Sequence, residues 1–206
     1  LYISGDFTQI DGNVRRQLGA FTIPAHTLMA WDPNVTGNVV LSFIHTGSSF
    51  IIGGSFFAVG GQPRSNIAEI AADGSVTAWA PESDASVTAL AFDGTSVFAG
   101  GYFSNIGGAD RSGLVALDPL TGLVTSLDPA VNGPVLALQL DANGLWLGGG
   151  FTEAGGADRS FAALLDPTTG TALDWQLGMD QRPRCFVDLG NERVFVGGEF
   201  TWAGND

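Results

Sequence analysis

A phenylalanine behind a short apolar run and a glycine-rich step returns five times in this chain, at Phe7, Phe56, Phe103, Phe151 and Phe200. The intervals are 49, 47, 48 and 49 residues. A fixed period of that size restricts the fold to a solenoid, a propeller or another array of stacked units. The clearest copy reads Val97-Phe98-Ala99-Gly100-Gly101-Tyr102-Phe103. Glycine makes up 30 of 206 residues, about double the usual share of roughly 7%. Without a three-residue period, that excess means turns and close backbone approaches.

One unit predicts four short strands. Residues 87–92 form a first strand closed by the Asp93-Gly94 turn, and residues 97–103 form the second. A longer connection, residues 106–111, leads to a third strand at 114–117. Asp118-Pro119-Leu120-Thr121-Gly122 then turns the chain into a fourth, residues 123–127. The turn recurs as Asp166-Pro167-Thr168-Thr169-Gly170 and more loosely at Asp73-Gly74. Trp31, Trp79, Leu127 and Trp175 stand 23 or 24 residues after successive phenylalanines.

First strands such as Val135-Leu136-Ala137-Leu138-Gln139-Leu140 are apolar on both faces, as strands covered from both sides are. Four-stranded antiparallel sheets with no helices to cover them point to radially stacked blades, an all-β propeller; a parallel β-helix has shorter rungs. Residues 1–206 are expected to form a single β-propeller domain. Strand counting gives three complete blades, residues 39–177, with three strands of another before them and two after. These partial blades do not complete one another, so a fragment of a larger ring of six to eight blades is expected, with flanking repeats on both sides.

Gly53-Gly54-Ser55-Phe56, Gly60-Gly61, Arg64 and Trp79, with their counterparts in the other units, resemble the delta-sixty repeat of kelch-like bacterial propellers. They also resemble the propeller of fungal cortical cell-polarity markers. The resemblance spans essentially the whole chain. It implies an extracytoplasmic or surface-associated scaffold and supplies no active-site residues.

Composition narrows the partners. Twenty-one acidic residues face eight basic ones, all arginine, for a formal charge of −13. That charge repels phosphate backbones and anionic membranes, so neither nucleic acid nor membrane insertion is expected. A single cysteine, Cys185, leaves no internal disulfide framework. It aligns with Ala89 and Ala137 and is expected to be a small buried core residue.

Arg15, Arg64, Arg111 and Arg159 each stand eight residues after a motif phenylalanine. A guanidinium ring for an anionic ligand is one reading. Recurrence in every unit favours a structural tie to backbone carbonyls, or to an aspartate such as Asp118 or Asp166. His26 and His45 do not recur and have no zinc-ligand spacing; no calcium loop is present, and no cofactor is expected. Asn34-Val35-Thr36 is a glycosylation sequon.

Function is therefore sought where the repeat varies, in the connections from fourth to first strand. Asn34, Glu82, Asp84, Asn132, Asp180 and Arg182 are the candidate binding residues. The expected function is a non-enzymatic extracellular or cell-surface module. It would bind a protein or glycan partner, or neighbouring domains of the same longer chain. A polysaccharide hydrolase or lyase with an acidic pair at the ring face is the first alternative. A structural spacer in an adhesin or filament is the second.

Overall fold

The computed structural model describes residues 1–190 and 193–204, and among them the chain is all β, with no helix. Five units follow one another at the period of the repeat. In the third unit the strands are Val87–Phe92, Val97–Gly101 and Leu114–Leu117; in the fourth they are Val135–Asp141, Gly144–Gly149 and Ala162–Leu165. The second unit has longer first and second strands, Val35–His45 and Ser49–Val59, followed by Ile67–Ala71. The first unit contributes Tyr2–Ser4 and Leu18–Ala20, and the fifth Pro183–Asp188 and Val194–Gly198. In each complete sheet the second strand is central and pairs antiparallel with the other two.

The predicted fourth strand does not form. Residues 123–127 touch the sheet through one bridge, Leu117 to Val124, and the equivalents are Ile70 to Val76 and Leu165 to Ala172. Threonine side chains explain two of these. The Thr77 hydroxyl accepts the Trp79 amide at 3.1 Å and the Thr125 hydroxyl the Leu127 amide at 3.3 Å, offering the backbone a local partner in place of a ladder. The second strand also stops at Gly101, short of Phe103.

The connection after it is not a plain loop. Asn105–Ile106 and Ala109–Asp110 form a two-residue hairpin whose tip, Gly107 and Gly108, has φ of 62° and 75°. Positive φ at both tip positions is what such a turn requires. The same hairpin appears at residues 9–14, 58–63 and 153–158.

Strands of the third and fourth units are covered on both faces; every residue of Val97–Gly101 and Leu114–Leu117 is buried. First strands of successive units lie side by side. The Thr88 hydroxyl donates to the Val135 carbonyl at 2.6 Å, and the Leu90 amide donates to the Ser42 hydroxyl at 3.1 Å. Paired glycines permit this approach. A Cβ on Gly100 would lie 2.8 Å from Val135 Cγ1, and one on Gly53 2.7 Å from Val87 Cγ1. The second glycine serves its own sheet: Gly101 sits at a bulge, where a Cβ would overlap the Ser86 carbonyl oxygen.

Phe56, Phe103 and Phe151 are buried between sheets, the last two only 1% exposed, while Phe7 and Phe200 in the outer units are half-buried. The turns after the third strands close the seams from outside. Gly122 abuts Trp79, whose indole N–H donates to the Asp118 carbonyl at 3.1 Å, and Gly74 and Gly170 abut Trp31 and Leu127 in the same way.

Cys185, expected in the core, is exposed. Ala89 and Ala137 are covered, whereas the corresponding face of the fifth unit is open, with Phe195 65% exposed and Val187 exposed beside it.

Candidate functional site

The variable connections and the small hairpins meet along one edge of the successive units. Ser83, before the first strand of the third unit, bridges to Ile106 in its hairpin, and Gly178–Met179 pairs with Ala203–Gly204 in the fifth. Apolar or small side chains anchor these segments: Val35, Ser83, Val131 and Met179 hold one position and are all buried.

Each of the six candidate residues has a defined place on this edge; Arg182 stands just before the fifth unit's first strand, where its carbonyl accepts the Glu199 amide at 3.0 Å. Asn34 and Glu82 occupy the left-handed region, φ 49° and 46°, as Ala130 does in the fourth unit. Their carbonyls accept from the hairpin glycines, Gly60 at 3.2 Å and Gly107 at 3.0 Å. Asp84, Asn132 and Asp180 play the same part in their units, each clamping the Ser or Thr that follows the motif phenylalanine. Asp84 Oδ1 accepts the Ser104 amide at 3.0 Å and Oδ2 its hydroxyl at 2.7 Å. Asn132 Oδ1 accepts the amides of Thr152 and Glu153 while Nδ2 donates to the Thr152 hydroxyl at 2.9 Å. Asp180 takes the Thr201 hydroxyl and the amides of Thr201 and Trp202.

These acids are held ionised. Hydrogen bonding from the Ser104 hydroxyl lowers the pKa of Asp84, and that from Thr201 lowers the pKa of Asp180. Among the described residues every resolved carboxyl shift is downward, the others being Asp73, Asp93, Asp118, Asp166 and Glu199. A general acid for glycoside cleavage needs the opposite, a carboxyl kept protonated near neutral pH. Glu82 and Asp84 share an open cleft of about 540 Å³ with Ser65 and Asn105; the other four candidates line no part of it.

The recurring arginines reach backbone. Arg64 donates to the carbonyls of Pro63 at 2.6 Å and Thr77 at 2.5 Å, and Arg159 to those of Asp158 and Leu173 at 2.8 and 3.2 Å. Arg15 bonds Val14 and Met29, and Arg111 bonds Asp110. Where an aspartate joins, it is Asp32 beside Arg15 and Asp128 beside Arg111. Asp118 and Asp166 instead accept two backbone amides each within their own turns. The guanidinium groups thus tie the hairpin to the segment after the third strand in the same unit.

Two features of this edge escape a reading by residue type. The clamped residues Ser104, Thr152 and Thr201 were signalled only by spacing, 20 or 21 positions after Asp84, Asn132 and Asp180. Arg184 and Glu199 were hidden inside the first strand and the repeated motif. Arg184 Nε donates to Glu199 Oε1 at 3.0 Å, and a second guanidinium nitrogen joins the same oxygen. Another cleft, about 530 Å³, lies between the fourth and fifth units beside Trp146 and Trp175. The matching Trp79 and Leu127 are covered by turns of the following unit, so this cleft is a stacking seam. Among the described residues no three of His, Cys, Asp and Glu are grouped as metal ligands, and no helix is long and apolar enough to cross a membrane.

A family model described as a domain of unknown function (DUF5122) beta-propeller matches residues 51–76, which run from the second strand of the second unit to the segment after its third. No curated protein matches the chain. The all-β architecture and this local match together support a β-propeller type of protein.

Proposed function

We propose that the chain is a non-enzymatic binding module of the delta-sixty, kelch-like propeller kind, in which the stacked sheets are blades and the edge carrying the hairpins faces a partner outside the cytoplasm. The observation that carries this reading is the division of labour in each unit. Glycines, phenylalanine, arginine and the Asp or Asn clamp are absorbed by backbone and packing, which leaves the remaining side chains at the strand ends available for contact. The clamping aspartates, held ionised by their hydrogen bonds, are unsuited to act as a general acid. The resemblance to surface-associated repeats supports an extracellular place.

A glycan and protein binding array combined with a turnover screen tests this. Binding without release of reducing ends or unsaturated products supports the module, and turnover of any bound polysaccharide overturns it.

A further inference from the structure

Asparagine has a structural task almost everywhere in this chain. The side-chain amides of Asn13, Asn38, Asn66, Asn105, Asn132 and Asn143 each donate a hydrogen bond, to a carbonyl, a hydroxyl or a carboxylate. Among the described residues Asn34 is the one asparagine whose side chain makes none. It is also the one asparagine of the sequence with a Ser or Thr two places on, in Asn34-Val35-Thr36. The two properties are independent, and they fall on the same residue.

The backbone explains why this amide is free. Asn34 turns the chain into the second unit's first strand with φ of 49°. Its N–H donates to Asp32 Oδ1 at 3.1 Å, and its carbonyl accepts from Gly60 at 3.2 Å. Glu82 and Ala130 make the same turn with φ of 46° and 48°. The fold therefore uses the backbone at this place and leaves the side chain unconstrained. Val35 is fully buried and anchors the strand, whereas Asn34 is exposed. Thr36 is half-buried, and its hydroxyl has no hydrogen-bond partner among the described residues. The hairpin tip beside Gly60 is open, since a Cβ on Gly61 would meet no atom within 4 Å.

We propose that Asn34 is an acceptor for N-linked glycosylation, by transfer of an oligosaccharide from a polyprenyl diphosphate carrier. This rests on the extracellular placement of the module, because the motif is an acceptor in secreted chains. Asn34 Nδ2 bonds to the anomeric carbon as the bond from that carbon to the diphosphate oxygen breaks. The polyprenyl diphosphate leaves with the electron pair, and one amide proton passes to a base of the transferase. Thr36 supplies the hydroxyl that the motif requires. A bulky, hydrated group belongs on the surface, where the amide has no hydrogen bond to lose. Asn34 meets both conditions. Asn66, whose amide donates to the Ser83 carbonyl at 2.9 Å, would give up a bond between units.

The test is secretion of the whole chain from a eukaryotic cell, with peptide mapping before and after treatment with peptide N-glycosidase. A glycosidase-sensitive mass is expected on the peptide that holds Asn34, with aspartate left at that position after release. Asn34→Gln and Thr36→Val should each abolish it, and Thr36→Ser should retain it. The glycosylated chain should unfold in urea no earlier than the enzymatically released one. A secreted chain with Asn34 unmodified, a glycan that survives Thr36→Val, or earlier unfolding of the glycosylated chain would each overturn the site. Unmodified Asn34 in a chain that binds an array partner without turnover removes the site and leaves the module reading standing. A glycan on Asn34 in a chain that releases reducing ends keeps the site and overturns the module reading.

Discussion

Val135 of the fourth unit rests its Cγ1 so close to Gly100 of the third that a Cβ on the glycine would lie 2.8 Å away. That contact joins the motif of one sheet to the first strand of the next, and it recurs between Gly53 and Val87. Stacking is therefore encoded in the absence of a side chain. Gly100→Ala should destabilise the chain by roughly 1–3 kcal/mol through overpacking. Gly101→Ala should cost at least as much, because backbone yields less than a valine methyl. Gly108→Ala meets nothing within 4 Å and has only its φ of 75° to oppose it, so about 1 kcal/mol is expected. Urea unfolding of the three variants gives the ranking.

Phe103 is 1% exposed between two sheets. Phe103→Ala should cost roughly 3–5 kcal/mol, and Phe151→Ala a similar amount. Phe7 and Phe200 are half-buried, and alanine at either should cost visibly less in the same urea titration.

Arg64 satisfies two carbonyls, and Arg64→Met would leave both without that donor. A loss of about 1–3 kcal/mol is expected, against less than about 1 kcal/mol for Asp128→Asn, which removes only a solvent-facing partner of Arg111. A comparable loss in both variants would contradict the view that carbonyls, not acids, hold the arginines.

The Asp84 carboxyl titrates below its ordinary value of 3.8 in the folded chain, chiefly because it accepts the Ser104 hydroxyl. A depressed folded pKa contributes stability that is present above the unfolded pKa and is lost as pH falls through the folded one. Unfolding midpoints should therefore decline as the pH drops below about 4. Asp84→Asn should flatten that slope while keeping the clamp, since Asn132 makes the same contacts to Thr152 in the fourth unit.

Much of the scaffold was legible in the sequence, because a repeated residue with a packing role leaves a period behind it. The paired glycines, the phenylalanine and the apolar first strands are of this kind. The fourth strand was not legible. Residues 123–127 have strand-like composition, but the Thr125 hydroxyl takes an amide that a ladder would use, and Leu123 is exposed. The hairpin at Gly107 and Gly108 hid inside what read as a loop. Cys185 followed its alignment with Ala89 and Ala137 only in backbone position, because burial depends on what covers the sheet. On the candidate edge, residue type pointed to Asp84, Asn132 and Asp180 as variable loop positions. Their shared clamp appears only when the Ser or Thr twenty places on is brought beside them. The Arg184 and Glu199 pair joins the first strand to the residue before the motif phenylalanine, 15 positions on, a proximity no local pattern carries.

The repeated glycines and phenylalanine hold the fold, by close backbone approach and by burial between sheets. The most direct measurement compares the unfolding free energies of Gly101→Ala and Gly108→Ala in urea. A loss of roughly 1–3 kcal/mol or more is expected in the first, and about 1 kcal/mol in the second. Equal losses in the two variants, or no loss in Gly101→Ala, would contradict it.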